Sequence, residues 1–190
     1  MKSTVSRSTP WFAPALLTVA LAAVSCGPKE EPAGSAVQAV ADTLATAEHG
    51  AYLATITGCH DCHTPGTLYG KPDFQRALAG SELGWTGPWG TSYARNLTPD
   101  PITGLGAWSE EEIVHALRTG KRPDGTELRP PMPWPSLAHM KERDIKSLAK
   151  YLKSIPPVSH KVPDALPPGA KVSGTLVMPP PSAWDAPRTP

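Results

Sequence analysis

The chain has 190 residues, 24 of them proline, and carries 18 Lys and Arg against 17 Asp and Glu. That length holds one ordinary domain with extensions, and proline, which lacks the amide donor and fixes φ, keeps much of the chain out of helices and sheet interiors. A formal charge of +1 offers no basic excess for a nucleic-acid partner, and removing residues 1–25, which hold Lys2 and Arg7 but no acid, turns the balance to −1.

The first segment reads as an export leader. Lys2 and Arg7 precede an uncharged apolar run from Trp11 to Val24, too short to span a bilayer. The run ends in Ala23-Val24-Ser25-Cys26-Gly27, small residues before a lone cysteine, as at a bacterial lipoprotein cleavage site. On this reading residues 1–25 are removed and Cys26 is lipidated. The protein is then exported and held on the periplasmic side of a bacterial membrane. The alternative is an ordinary signal peptide cut near Cys26, leaving a spare thiol. Residues 26–45, rich in Ala, Glu, Pro and Ser, read as a flexible tether.

The domain is expected over residues 46–158. A first helix is expected from Ala47 to Thr57, with Tyr52, Leu53 and Ile56 as a narrow apolar stripe. Gly50 is costly inside a helix unless close packing requires it. Thr64 to Pro101, rich in Gly, Pro, Trp and Asn, reads as turns and irregular loops. Ser109-Glu110-Glu111-Glu112 is a capping box that starts a second helix, which ends at Gly120. A third helix runs from about Lys141 to Ser154, where Ile145, Leu148, Ala149 and Leu152 form one stripe. Pro156-Pro157 stops it, and ten prolines fall in the last 35 residues. Residues 159–190 are therefore expected to be extended, wrapping the domain or a partner. No alternating pattern is long enough for a sheet, and the pattern is mostly helical.

Cys59-His60-Asp61-Cys62-His63 is the attachment signature of a c-type haem. Positions i, i+3 and i+4 of a helical turn project from one face. Two thiols can there bond the two vinyl groups of one macrocycle while His63 reaches the iron as proximal ligand. A zinc site would need more ligands, a redox dithiol a βαβ context, and a Cys59–Cys62 disulfide a haem that was never loaded. Haem attachment and lipidation account for all three cysteines, 59, 62 and 26.

A sixth ligand must come from elsewhere, and a methionine there raises the reduction potential. Met1 goes with the leader and Met178 lies in the Pro-rich tail, which leaves Met132 and Met140. Met132 lies in Arg129-Pro130-Pro131-Met132-Pro133-Trp134, a loop stiffened by proline on both sides, and is preferred. Met140, at the entry to the third helix, suits core packing. His49, His60, His115, His139 and His160 compete for the same position, without so rigid a setting.

From about Glu48 to Val158 the chain resembles class I c-type cytochromes, and most of all the single-haem domains in cytochrome subunits of bacterial membrane-associated dehydrogenases. The carrying residues are Cys59 to His63, Pro88-Trp89-Gly90, Asn96-Leu97-Thr98-Pro99-Asp100, Thr103 to Ser109, Arg122-Pro123-Asp124-Gly125 and Pro131-Met132-Pro133-Trp134, followed by the helix that holds Tyr151-Leu152. The resemblance implies a cytochrome c-like all-α fold around one covalent haem, with first and last helices crossing at Gly50. It implies Met132 as axial ligand, and Asn96 and Trp108 near the haem. Trp108 would donate its indole N–H to a propionate or simply pack in the core. The function implied is electron transfer with redox proteins such as a dehydrogenase or oxidase, with no small-molecule substrate. A haem subunit of a dehydrogenase complex is the alternative, or a peroxidase or ligand sensor if Met132 is not bound to iron.

Overall fold

The structure, a computed structural model, describes residues 44–178. The leader at 1–25, Cys26, most of the tether and the end of the proline-rich tail lie outside the described residues. Helix α1 spans Ala47–Ile56, α2 Cys59–His63, α3 Glu110–Thr119, α4 Trp134–Leu137 and α5 Glu142–Ser154. Two single turns of 3₁₀ helix, Thr67–Tyr69 and Phe74–Arg76, lie in the connection after α2.

The core is built where α1 and α3 pack on α5. Ile145, Leu148, Ala149 and Leu152 are all 3% exposed or less, so the expected stripe of α5 is its buried face. Ile113, Ala116 and Leu117 bring α3 to the same core. Both halves of the capping box form, and Gly120 closes α3 in the left-handed region at φ +69°. There the indole of Trp134 covers Gly120 so closely that a Cβ would not fit.

Helix α1 corrects the expected stripe. Leu53 and Ala54 are buried, whereas Tyr52 and Ile56 are 58% and 57% exposed. The small residues set the rotation. Gly50 lies against the backbone of Ser147, where any Cβ would meet the Ser147 carbonyl and come 2.6 Å from Tyr151 Cβ. Two helices approach this closely only with no side chain between them. The start of α1 is fixed to the same place, since the Thr46 amide donates to Ser147 Oγ at 3.1 Å.

The all-α expectation also needs correction, because a small sheet stands beside the helices. Strand β1, Gly84–Gly87, pairs antiparallel with β2, Gly90–Tyr93, through a turn at Pro88-Trp89. Strand β3, Thr175–Val177, pairs parallel with β1 on its other side, giving the order β2-β1-β3. These strands are three or four residues long and bounded by glycine, too short for an alternating pattern to declare itself.

The packing continues past residue 158. The Val158 carbonyl accepts from Asn96 Nδ2 at 2.8 Å, and Val162 is 3% exposed. The Leu166 amide and carbonyl exchange bonds of 2.9 and 3.0 Å with Thr91 of β2. The first part of the proline-rich segment thus wraps the domain and ends as an edge strand.

Candidate functional site

The attachment turn begins where α1 ends. Gly58, in the left-handed region at φ +71°, reverses the chain, and α2 follows at once. Cys59 and Cys62 are free, partly buried thiols. Burial pushes both thiols above their ordinary value, a trend that the Thr57 hydroxyl 3.4 Å from Cys59 Sγ partly offsets. They are therefore neutral S–H groups at neutral pH.

His63 is 8% exposed. Its Nδ1 donates to the Arg95 carbonyl at 2.6 Å, the ring partner that the sequence left unnamed. Burial holds the imidazole below its ordinary pKa, with the Arg95 carbonyl acting the other way. A neutral ring that carries its proton on Nδ1 has its lone pair on Nε2, and the carbonyl fixes both the tautomer and the ring orientation. Two thiols and an imidazole nitrogen free to coordinate, on one helical turn, match the donor set of a covalent haem. Among the described residues no group of three or more His, Cys, Asp or Glu side chains is placed to hold a metal ion, as a zinc site would require.

Met132 lies in the loop before α4. The Met132 amide donates to Arg129 O at 3.2 Å, closing a turn around Pro130-Pro131, whose peptide bond is cis. The Pro130 carbonyl accepts from Ser92 Oγ on β2, and Ser92 accepts from Trp89 Nε1 at 3.2 Å. After α4, Arg118 donates to the carbonyls of Ala138 and Met140. The Met132 loop is thus held by the sheet on one side and by α3 on the other. Cys59, Leu97, Trp108, Met132, Met140 and Tyr151 are all partly buried against the same core, so the structure brings the thiol turn and the Met132 loop to one apolar centre.

The competing histidines lie elsewhere. His49 bonds Asp144 at 2.7 Å, and His60 bonds Thr64 Oγ1 at 2.9 Å. His160 bonds the Ala79 carbonyl and Glu82, each at 2.8 Å. His115 and His139 are exposed.

Asn96 and Trp108 differ in kind. Asn96 is 2% exposed and every polar atom of its amide is used within the protein. Nδ2 donates to Thr103 Oγ1 and Val158 O, and Oδ1 accepts from the Thr98 amide and hydroxyl. It ties the loop after β2 to the segment after α5 and leaves no N–H for a cofactor. Trp108 packs on the core, and among the described residues its indole N–H has no hydrogen-bond partner. Sequence reasoning missed Arg95, whose contribution is a backbone oxygen, and Lys153. Lys153 Nζ donates to the carbonyls of Leu105, Gly106 and Trp108 at 3.1, 2.9 and 2.7 Å and so fixes the turn that carries Trp108. A carbonyl leaves no trace in composition. The lysine falls on a helix face that reads as solvent.

These features define a mainly helical domain in which a thiol–imidazole turn and a braced methionine loop both pack against one core. The comparisons give that class a family context. The chain is 37% identical over 120 residues to the cytochrome c subunit of a quinone alcohol dehydrogenase from Gluconobacter oxydans, covering 62% of this chain and 23% of that one. It is 35% identical over 122 residues to the gluconate 2-dehydrogenase cytochrome c subunit of Pantoea cypripedii, covering 64% and 26%. It is 30% identical over 126 residues to a diheme cytochrome c-type protein of Cereibacter sphaeroides, covering 66% and 42%. No family model matches the chain. The chain is thus similar to cytochrome c subunits of bacterial dehydrogenases, a similarity that implies haem c, and it spans about a quarter of the length of the first of these relatives.

Proposed function

We propose that this chain is an electron-transfer domain with one haem c, bound through Cys59 and Cys62, with His63 and Met132 as axial ligands. The observation that carries the reading is the His63 Nδ1–Arg95 O bond of 2.6 Å, which leaves Nε2 available beside two free thiols. Bound there, a haem supplies a one-electron couple at its iron. His63 offers a neutral, oriented nitrogen whose basicity the Arg95 carbonyl raises. Met132 offers a thioether on a loop held from two sides, which favours the reduced state. With both axial positions taken, no coordination site is open to a substrate.

The partners are redox proteins, met through weak and transient docking. The similarity to dehydrogenase subunits supports a dehydrogenase as electron donor, either as a complex in which this chain is the haem subunit or as a separate enzyme. Co-purification from detergent-solubilised membranes distinguishes the two. The leader and Cys26 support export and a lipid anchor on the periplasmic side. Mass spectrometry of the mature N-terminus tests this, and an unmodified Cys26 or cleavage elsewhere refutes it.

The ligation is tested by spectroscopy. The oxidised protein should show the weak long-wavelength absorption of sulfur bound to iron, and Met132→Ala should abolish it. Absence of the band, with the same spectrum in Met132→Ala, would overturn the assignment of Met132.

A further inference from the structure

The segment that follows α5 lies against both backbone stretches that hold His63. The Gly80 amide donates to the His63 carbonyl at 2.8 Å, and the Arg95 carbonyl accepts from the His63 ring at 2.6 Å. Val162, 3% exposed, packs so closely on Gly80 that a Cβ there would come 2.5 Å from its Cγ2. The Arg95 guanidinium donates to the Val162 and Pro163 carbonyls at 3.4 and 3.2 Å. Residues 158–163 therefore form a strap across the backbone behind the imidazole.

One side chain ties that strap to the loop beneath it. His160, whose side chain is 13% exposed, places Nδ1 2.8 Å from the Ala79 carbonyl and Nε2 2.8 Å from Glu82 Oε1. A carbonyl offers no proton. Nor does Glu82, because Arg76 Nη1 donates to that same oxygen at 2.9 Å and keeps it ionised. Two acceptors need two N–H donors, and only the imidazolium has both. A neutral ring protonated on Nδ1 would set its Nε2 lone pair against a carboxylate lone pair. Its one donor there would be Arg76 Nη1, 3.4 Å away and already given to Glu82. Around the ring, Glu82 and Asp73 carry two negative charges against the single charge of Arg76, which bonds both, so the imidazolium completes the balance. On the strap itself Lys161 and Asp164 carry opposite charges, and Arg95 lies 3.8 Å from Asp164.

We propose that His160, as the imidazolium, is a positioning residue: it clamps residues 158–163 onto Ala79 and so steadies His63, and loss of one ring proton releases the clamp. The proton on Nε2 leaves to solvent, and Glu82 keeps its bond to Arg76. The effect on an iron, though not the clamp itself, rests on the haem reading above. Histidine changes its charge between about pH 5 and 8, so the clamp holds at the acid end of that range and opens as pH rises. The test uses the full-length, haem-loaded protein with nitrogen-labelled histidine, as wild type, His160→Gln and Glu82→Gln. Nitrogen NMR counts the protons on the His160 ring from mildly acidic to mildly alkaline pH. Hydrogen exchange, corrected for its intrinsic rate, reads the Gly80 amide, and the reduction potential is followed over the same range. In the wild type both ring nitrogens carry protons at the acid end. As one is lost, protection of the Gly80 amide falls about tenfold, as for one charge-assisted hydrogen bond, and the potential falls because a positive charge is gone. In His160→Gln both readings are flat with pH, and in Glu82→Gln the step in protection shrinks.

A His160 ring with a single proton at the acid end, on Nδ1, overturns the proposal. So does a potential that steps with pH while Gly80 protection stays constant, because the ring then acts by its charge alone. If the variants do not fold, the wild type decides: one midpoint shared by the ring and the Gly80 amide supports the clamp, and separate midpoints overturn it. A chain with no covalent haem mass fails the haem reading, a separate result, and the ring and amide measurements still judge the clamp in that same protein.

Discussion

Replacing Gly50 by alanine should destabilise the domain, although the same change on an open helix face stabilises. An alanine in mid-helix gains about 1 kcal/mol over glycine from backbone entropy alone. At position 50 the new Cβ would meet the Ser147 carbonyl, which cannot rotate aside, and would lie 2.6 Å from Tyr151 Cβ. Carbon atoms rest at roughly 3.5–4.0 Å, so α1 and α5 must part by about 1 Å. A gap of that size forfeits about a quarter to a half of the dispersion well at each contact it opens. Ala54, Leu148 and Ala149, each 1% exposed or less, are on the opened face. Overpacking of this kind costs about 1–3 kcal/mol, and the lost contacts add to it, so the net change is about 2 kcal/mol of destabilisation after the helix gain. Urea unfolding of the full chain reads this as a lower midpoint with an unchanged slope. An alanine variant as stable as the wild type, or more so, refutes the reasoning, because the sign of the change follows from the crossing.

Asn96→Ala should lower stability by about 2–4 kcal/mol, because it removes four hydrogen bonds and leaves the buried Thr98 amide unpaired. Thermal unfolding checks this, and a loss below about 1 kcal/mol would deny it the role of a bracket. Asp144 is held below its ordinary value of 3.8 chiefly by its hydrogen bond to His49, with Arg143 assisting. A depressed carboxylate stabilises fully above its unfolded pKa, and that stability is lost as pH falls through the lower folded value. Asp144→Asn should therefore weaken the protein at neutral pH and narrow the gap to wild type as pH drops through 3.8 and below. Denaturant midpoints across that range measure the gap, and a constant difference counts against the assignment.

What could be read from the sequence was local. The capping box at Ser109, the stop at Gly120 and the stripe of α5 are each written within one helix, and the structure has them in place. The Cys59–His63 turn is likewise written in five residues. Helix α1 was read in the wrong rotation because large apolar residues suggested its face, whereas the closeness of α5 makes Gly50 and Ala54 the contact. The sheet and the hydrogen bonds at the site depend on partners far away in the chain: Thr175 beside Gly84, Arg95 behind His63, Val158 on Asn96. No periodicity records such pairs, and they form only when the chain closes on itself.

The edge strand made by the proline-rich segment has a practical consequence for anyone cutting or fusing this gene. Motif matching would end the domain at residue 158. A chain ended there would lose Leu166 from β2, β3 from β1 and the acceptor of Arg129, all on the hairpin and loop that brace Met132. Such a fragment keeps its thiol turn but loses contacts that brace the Met132 loop. The transplantable unit runs to at least Met178, whose amide still donates to Thr86 O at 2.7 Å.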